Sequence, residues 1–107
     1  MGQGLTQRLY SALEYDSDKV IVEFTSKDHP IFVAHFPKNP ILPGFLLIDV
    51  ISEILKDTVV KIVRSKFISH IVPNDIITYN IETKMKRKKI TVFKNDKKVS
   101  EIIYETK

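Results

Sequence analysis

Alternating stretches of hydrophobic and polar residues flank one continuous apolar segment. Leu5, Leu9 and Leu13 stand four apart with Ala12 beside them, which predicts a short amphipathic helix over 5–14, ended by Asp16-Ser17-Asp18. From Lys19 to Thr25, Val20, Val22 and Phe24 alternate with Ile21, Glu23 and Thr25, the period of a strand. Ser26-Lys27-Asp28-His29-Pro30 reads as a turn, after which Ile31-Phe32-Val33 leads into a loop. The segment Phe45 to Lys56 is apolar around most of its circumference, so as a helix it must be surrounded; Asp49, Ser52, Glu53 and Lys56 form its one polar stripe.

Beyond Asp57-Thr58 the pattern is that of strands. Val59 to Ser69 is β-branched with impure alternation, which predicts a bulge or bend. Pro73-Asn74-Asp75 marks a turn, and Ile77, Tyr79 and Ile81 alternate with polar residues as in a half-buried strand. Ile90 to Lys94, Asn95-Asp96 and Lys98 to Glu105 read as a closing hairpin. The pattern therefore predicts an α+β chain, one central helix wrapped by a curved antiparallel sheet, in a single domain spanning 1–107.

Composition narrows the chemistry. The chain contains no cysteine, which excludes disulfides, a thiolate nucleophile and cysteine-based zinc sites, and agrees with a cytoplasmic location. No apolar run is long enough to cross a bilayer, and no secretory segment follows Met1. Met1-Gly2-Gln3-Gly4-Leu5-Thr6 fits the loose pattern for N-myristoylation. A net charge of +4 and a pI near 9.3 favour an acidic partner, without distinguishing nucleic acid, anionic lipid or an acidic protein. His29 and His70 have no spacing that suggests a metal site.

The most informative stretch runs from His35 to Asp49. Pro37, Pro40 and Pro43, three residues apart, predict a stiff non-helical loop that ends at Gly44. A histidine on a rigid loop and an acid one turn into a buried helix can be held in fixed positions, as proton transfer requires. The competing structural readings are that Asp49 only opens the least buried face of the helix, and that Pro43-Gly44 only starts it.

His35, Phe36, Pro37, Pro40, Pro43, Gly44 and Asp49 resemble, in register, the signature of the 3-hydroxyacyl-[acyl carrier protein] dehydratases: His-Phe-Pro-x-x-Pro-x-x-Pro-Gly with an acid fourteen positions after the histidine. The resemblance extends through Lys66-Phe67 and Val72-Pro73-Asn74-Asp75, where the family commonly has Pro-Gly-Asp, and covers roughly residues 19–105. It implies a hot-dog fold and elimination of water from a 3-hydroxyacyl thioester to give the trans-2-enoyl thioester, in fatty-acid or related acyl-chain synthesis. By the same resemblance His35 is the base, Asp49 the acid, and the Gly44 N–H the donor to the thioester carbonyl. Phe36, Pro43, Phe45 and Glu53 are implied as substrate-binding positions.

The chemistry suits these groups. A neutral imidazole can take the carbon-bound proton, an apolar setting favours a protonated aspartate, and the first amide of a helix is free at the positive end of its dipole. The resemblance also implies a homodimer whose sites join His35 of one protomer to Asp49 of its partner, with further assembly left open, so that within one chain the two lie too far apart to share a substrate atom. It calls for no cofactor, the substrate being carried on the phosphopantetheine of an acyl carrier protein. Lys84, Lys86, Arg87, Lys88 and Lys89 are then a candidate landing patch for that acidic carrier, or simply a solvated hairpin connection; nucleic acid is the weaker reading, since no aromatic or glycine pattern interleaves with these lysines.

Three departures stand against the family pattern. Glu53 replaces a glutamine common one turn after the acid, and its carboxylate either repels Asp49 or is merely solvated. Ala34 replaces a glycine, and the N-terminal Pro-His-Arg-type segment of longer members is missing, which leaves pocket depth and closure open. Two alternatives accompany the dehydratase: a hot-dog acyl-thioester hydrolase using Asp49 to direct water, and a non-catalytic subunit that binds acyl carrier or acyl chain.

Overall fold

The computed structural model describes residues 6–34 and 38–107. Six strands form one antiparallel sheet: β1 (Tyr10–Tyr15), β2 (Lys19–Phe24), β3 (Val59–Phe67), β4 (Ile76–Lys84), β5 (Arg87–Lys94) and β6 (Lys97–Thr106), in the order β1-β2-β4-β5-β6-β3. Two helices precede β3: a single-turn α1 (Pro30–Ala34) and the central α2 (Phe45–Leu55). The alternation read in the sequence is the alternation of burial. Val20, Val22 and Phe24 of β2, Ile77, Tyr79 and Ile81 of β4, Ile90 and Val92 of β5, and Ile102 and Tyr104 of β6 share one core with Leu46, Leu47, Ile48, Val50 and Ile51 of α2. The buried Tyr79 hydroxyl donates to the Leu47 carbonyl at 2.9 Å, which fixes α2 on β4. A sheet packed about one helix is the hot-dog arrangement expected.

Local chemistry sets the ends of α2. At its C-terminus Lys56 takes φ 57°, and the N–H groups of Lys56 and Asp57 return to the carbonyls of Glu53 (3.2 Å) and Ser52 (2.9 Å), so the last turn closes on itself. Asp57 then accepts from Lys88 Nζ at 2.7 and 2.8 Å and from the Tyr104 hydroxyl at 2.6 Å, locking this end of the helix to β5 and β6. The turn before β4 holds Asn74 at φ 69°, a left-handed position that asparagine tolerates almost as glycine does. This is why Pro73-Asn74-Asp75 can stand in for Pro-Gly-Asp. Asp75 completes the turn by accepting from the Val72 N–H (2.8 Å) and Lys94 Nζ (2.6 Å).

The expected N-terminal helix over 5–14 is corrected. Arg8 adopts φ 60°, Leu9 is buried, and the chain from Tyr10 enters β1, pairing with β2 from Tyr10↔Phe24 to Tyr15↔Val20. Leu13 falls where the register shifts between Ala12 and Glu14 and is 51% exposed, so the four-residue spacing of leucines does not mark a buried face. Pairing to a neighbouring strand overrides the local period. Leu5 lies outside the described residues, as does most of the myristoylation pattern.

The irregularity expected in the long strand is present: β3 shifts register against β6 between Val59 and Lys61 and again between Ile62 and Arg64. It is an edge strand, and Val60, Ile62, Val63 and Phe67 are exposed along it. No helix among the described residues is long and apolar enough to cross a membrane.

Candidate active site

The N-terminal end of α2 positions the site. Residues 38–43 are non-helical, as the prolines require, and the Leu42 N–H donates to the Ile71 carbonyl at 2.8 Å, which seats the loop against the segment between β3 and β4. Gly44 then enters helical conformation (φ −55°, ψ −37°) as the N-cap, and the N–H groups of Leu46 and Leu47 return to the carbonyls of Pro43 and Gly44, each at 3.0 Å. The Gly44 N–H has no acceptor among the described residues and points from the positive end of the helix dipole. His35, Phe36 and Pro37, which include the expected base and one substrate-binding position, lie outside the described residues.

Glycine at 44 is favoured by packing, not by a left-handed φ. A Cβ there would stand 2.9–3.0 Å from the ring of Phe67, closer than carbon atoms approach. Phe67 is therefore a neighbour of the site that was visible in the sequence only as part of Lys66-Phe67. Because the ring is 46% exposed it can swing aside. Gly44→Ala is expected to destabilise the fold by only about 1 kcal/mol, the low end for overpacking, with Phe67→Leu recovering part of it in the double variant. Thermal melts of the three variants check this; an additive double variant would show that the ring is not the obstacle.

Asp49 sits in the second turn of α2, exposed, and its carboxyl is pushed above the ordinary aspartate range, first by partial burial and second by the charge of Glu53. Glu53, whose direction the sequence left open, is not simply solvated. Its two carboxylate oxygens accept from the Thr6 hydroxyl at 2.6 Å and the Tyr10 hydroxyl at 2.7 Å. Burial, the bond to Glu53 and its charge hold the Tyr10 phenol well above the usual range, so it remains a donor. The N-terminal segment, expected as a helix, is thus tied to α2 through Glu53. It is pinned further by His29, whose Nε2 lies 2.7 Å from the Gln7 carbonyl while Nδ1 accepts the Ile31 N–H at 3.0 Å.

Of the other implied positions, Pro43 and Phe45 flank Gly44, and Phe45 is exposed. The basic run is split. Lys88 is only 16% exposed and paired with Asp57, and Arg87 pairs with Glu105 across the β5–β6 ladder, leaving Lys84, Lys86 and Lys89 as exposed cations. All five lie toward the C-terminal end of α2, about 16 Å along the helix from Gly44 at 1.5 Å per residue.

Comparison with known proteins bears on this arrangement. The chain is 28% identical over 76 residues to the 3-hydroxyacyl-[acyl-carrier-protein] dehydratase FabZ of Ehrlichia ruminantium (strain Gardel), covering 57% of this chain and 52% of that protein. It is 30% identical over 83 residues to the FabZ of Ruminiclostridium cellulolyticum, covering 65% and 58%. The chain thus spans about half the length of the curated relatives it matches. Among solved structures, the dehydratase heterocomplex ApeI:P from Xenorhabdus doucetiae superposes with a TM-score of 0.73 at 16% identity, covering 91% of this chain and 96% of that one. Thioesterase superfamily member 2 from Mus musculus superposes with a TM-score of 0.62 at 17% identity, covering 92% and 81%. The family model described as ApeI dehydratase matches residues 12–105, from β1 through β6 and across the whole of α2 with Gly44 and Asp49. With the fold and nearly the full chain accounted for by one family, the chain belongs to the ApeI-like dehydratases.

Proposed function

We propose that the chain eliminates water from a 3-hydroxyacyl thioester carried on an acyl carrier protein, giving the trans-2-enoyl thioester. The observation that carries this reading is the Gly44 N–H at the start of α2, without an acceptor among the described residues, with the raised carboxyl of Asp49 in the next turn. In this mechanism the Gly44 N–H receives the thioester carbonyl, and charge developing on that oxygen as the adjacent carbon loses its proton is stabilised by the helix end. His35 takes that proton. Asp49, protonated, gives its own to the departing hydroxyl, which leaves as water. The C–O electron pair departs with the oxygen and the C–H pair becomes the new double bond.

The exposed apolar edge of β3 supports a homodimer, since an unpaired strand of that kind is otherwise open to uncontrolled pairing. The pairing of His35 from one protomer with Asp49 of its partner, which the family resemblance implies, belongs to the same proposal. The exposed Lys84, Lys86 and Lys89 remain the cations on offer to an acidic carrier. The fold shared with a mouse thioesterase keeps thioester hydrolysis as the second reading.

Purified protein should interconvert carrier-linked 3-hydroxyacyl and 2-enoyl substrates, followed by the absorbance of the enoyl thioester, and should sediment at twice the 12.4 kDa of one chain. Release of free thiol without enoyl formation would replace this reading with hydrolysis. Binding with neither reaction would replace it with a carrier-binding subunit.

A further inference from the structure

The clamp on Glu53 has no part in the steps above. Its carboxylate is one helical turn from Asp49, the spacing at which side chains on a helix are neighbours. A free glutamate there would rotate into solvent to escape a second carboxylate. Two hydroxyls from the N-terminal segment prevent that, one on each oxygen: Thr6, itself buried, at 2.6 Å and Tyr10 of β1 at 2.7 Å. The groups near the pair are few. On α2 they are Asp49 and Glu53 themselves and, three residues on along the same polar stripe, the exposed Lys56; the N-terminal segment contributes Tyr10 and the exposed Arg8; the Tyr79 hydroxyl of β4 is spent on the Leu47 carbonyl. No cation among the described residues is paired with Glu53 or Asp49.

We propose that Glu53 is a positioning residue, its charge fixed by Thr6 and Tyr10 beside Asp49 so that it governs the pH at which Asp49 releases its proton. A glutamine at this position would lose the charge and keep one of the two hydroxyl donors on its oxygen, its NH2 donating to the other hydroxyl. A carboxylate held one helical turn away makes release of the Asp49 proton more costly. The raised carboxyl of Asp49, with Glu53 as its second cause, agrees with this geometry. The inference rests on the proposed dehydration for its purpose, but not for its test.

The test follows the carboxyl carbon of Asp49 by NMR through a pH titration, its signal assigned by loss in Asp49→Asn. Glu53→Gln should move the Asp49 midpoint to lower pH. Tyr10→Phe should do the same to a smaller degree, and it serves as the deciding variant if Glu53→Gln does not fold. An Asp49 midpoint unmoved in the folded variants overturns the proposal. In kinetics Glu53→Gln should lower kcat roughly three- to tenfold at pH 8 with KM unchanged, and less at lower pH. A wild-type protein inactive on hydroxyacyl substrates whose Asp49 midpoint still moves would refute the dehydratase reading and support the coupling.

Discussion

Asp49→Asn is expected to lower water elimination by about 10²–10⁴-fold, the range for loss of a positioned general acid, and His35→Ala should cost a similar factor through loss of the base. The asparagine keeps the size of the side chain and can still donate a hydrogen bond, but it has no proton to give the leaving hydroxyl. Asp49 lies on the exposed stripe of α2, so the loss should come without unfolding. Its effect on stability has a definite sign. A carboxyl raised in the folded state retains its proton where the unfolded chain has released it, so the associated stabilisation is complete below the unfolded value and is lost as pH rises through the folded one. At a pH above the folded midpoint of Asp49 the ionised group therefore weakens the fold, and Asp49→Asn should melt slightly above wild type there, with the advantage vanishing in acid. Rates on carrier-linked substrate and melts across a pH series down to pH 3 check both halves. Retained dehydration in Asp49→Asn would remove the acid from the mechanism.

The largest effect on stability is expected from Ile51→Ala. Ile51 is fully buried on α2, in the same core as residues of β2, β4, β5 and β6. Removing its outer carbons leaves a cavity that this core cannot readily collapse, at a cost of about 2–5 kcal/mol. For a domain of this size that corresponds to a fall of roughly 10–25 °C in Tm, large against a typical total stability of about 5–15 kcal/mol. Urea unfolding of the variant measures it directly. A change below about 1 kcal/mol would mean that the helix is less completely enclosed than its burial indicates.

Where burial follows the local period, the fold was legible in the sequence. The strand alternations of Val20-Val22-Phe24 and Ile77-Tyr79-Ile81, the Asn95-Asp96 hairpin with both residues at positive φ, and the apolar circumference of α2 all appear as read. The N-terminal segment did not, because β1 is defined by its pairing with β2 and not by its own leucines. The site divides in the same way. Gly44 and Asp49 belong to a contiguous motif, whereas the clamp joins Glu53 to residues 47 and 43 positions earlier. Phe67 meets Gly44 only through the fold. In the basic run Lys88 looks like its neighbours until Asp57, 31 residues away, claims it.

The two offsets in β3 also bear on how copies of this chain can meet. Each adds local twist, so the free margin of the sheet is a wrung ribbon with a preferred register and not a flat template. A ribbon of that shape can be capped once, by a mate of matching twist, after which no outward rim of the same kind is left at that contact. Such twist disfavours fibre growth along a strand whose greasy side chains alone would invite it.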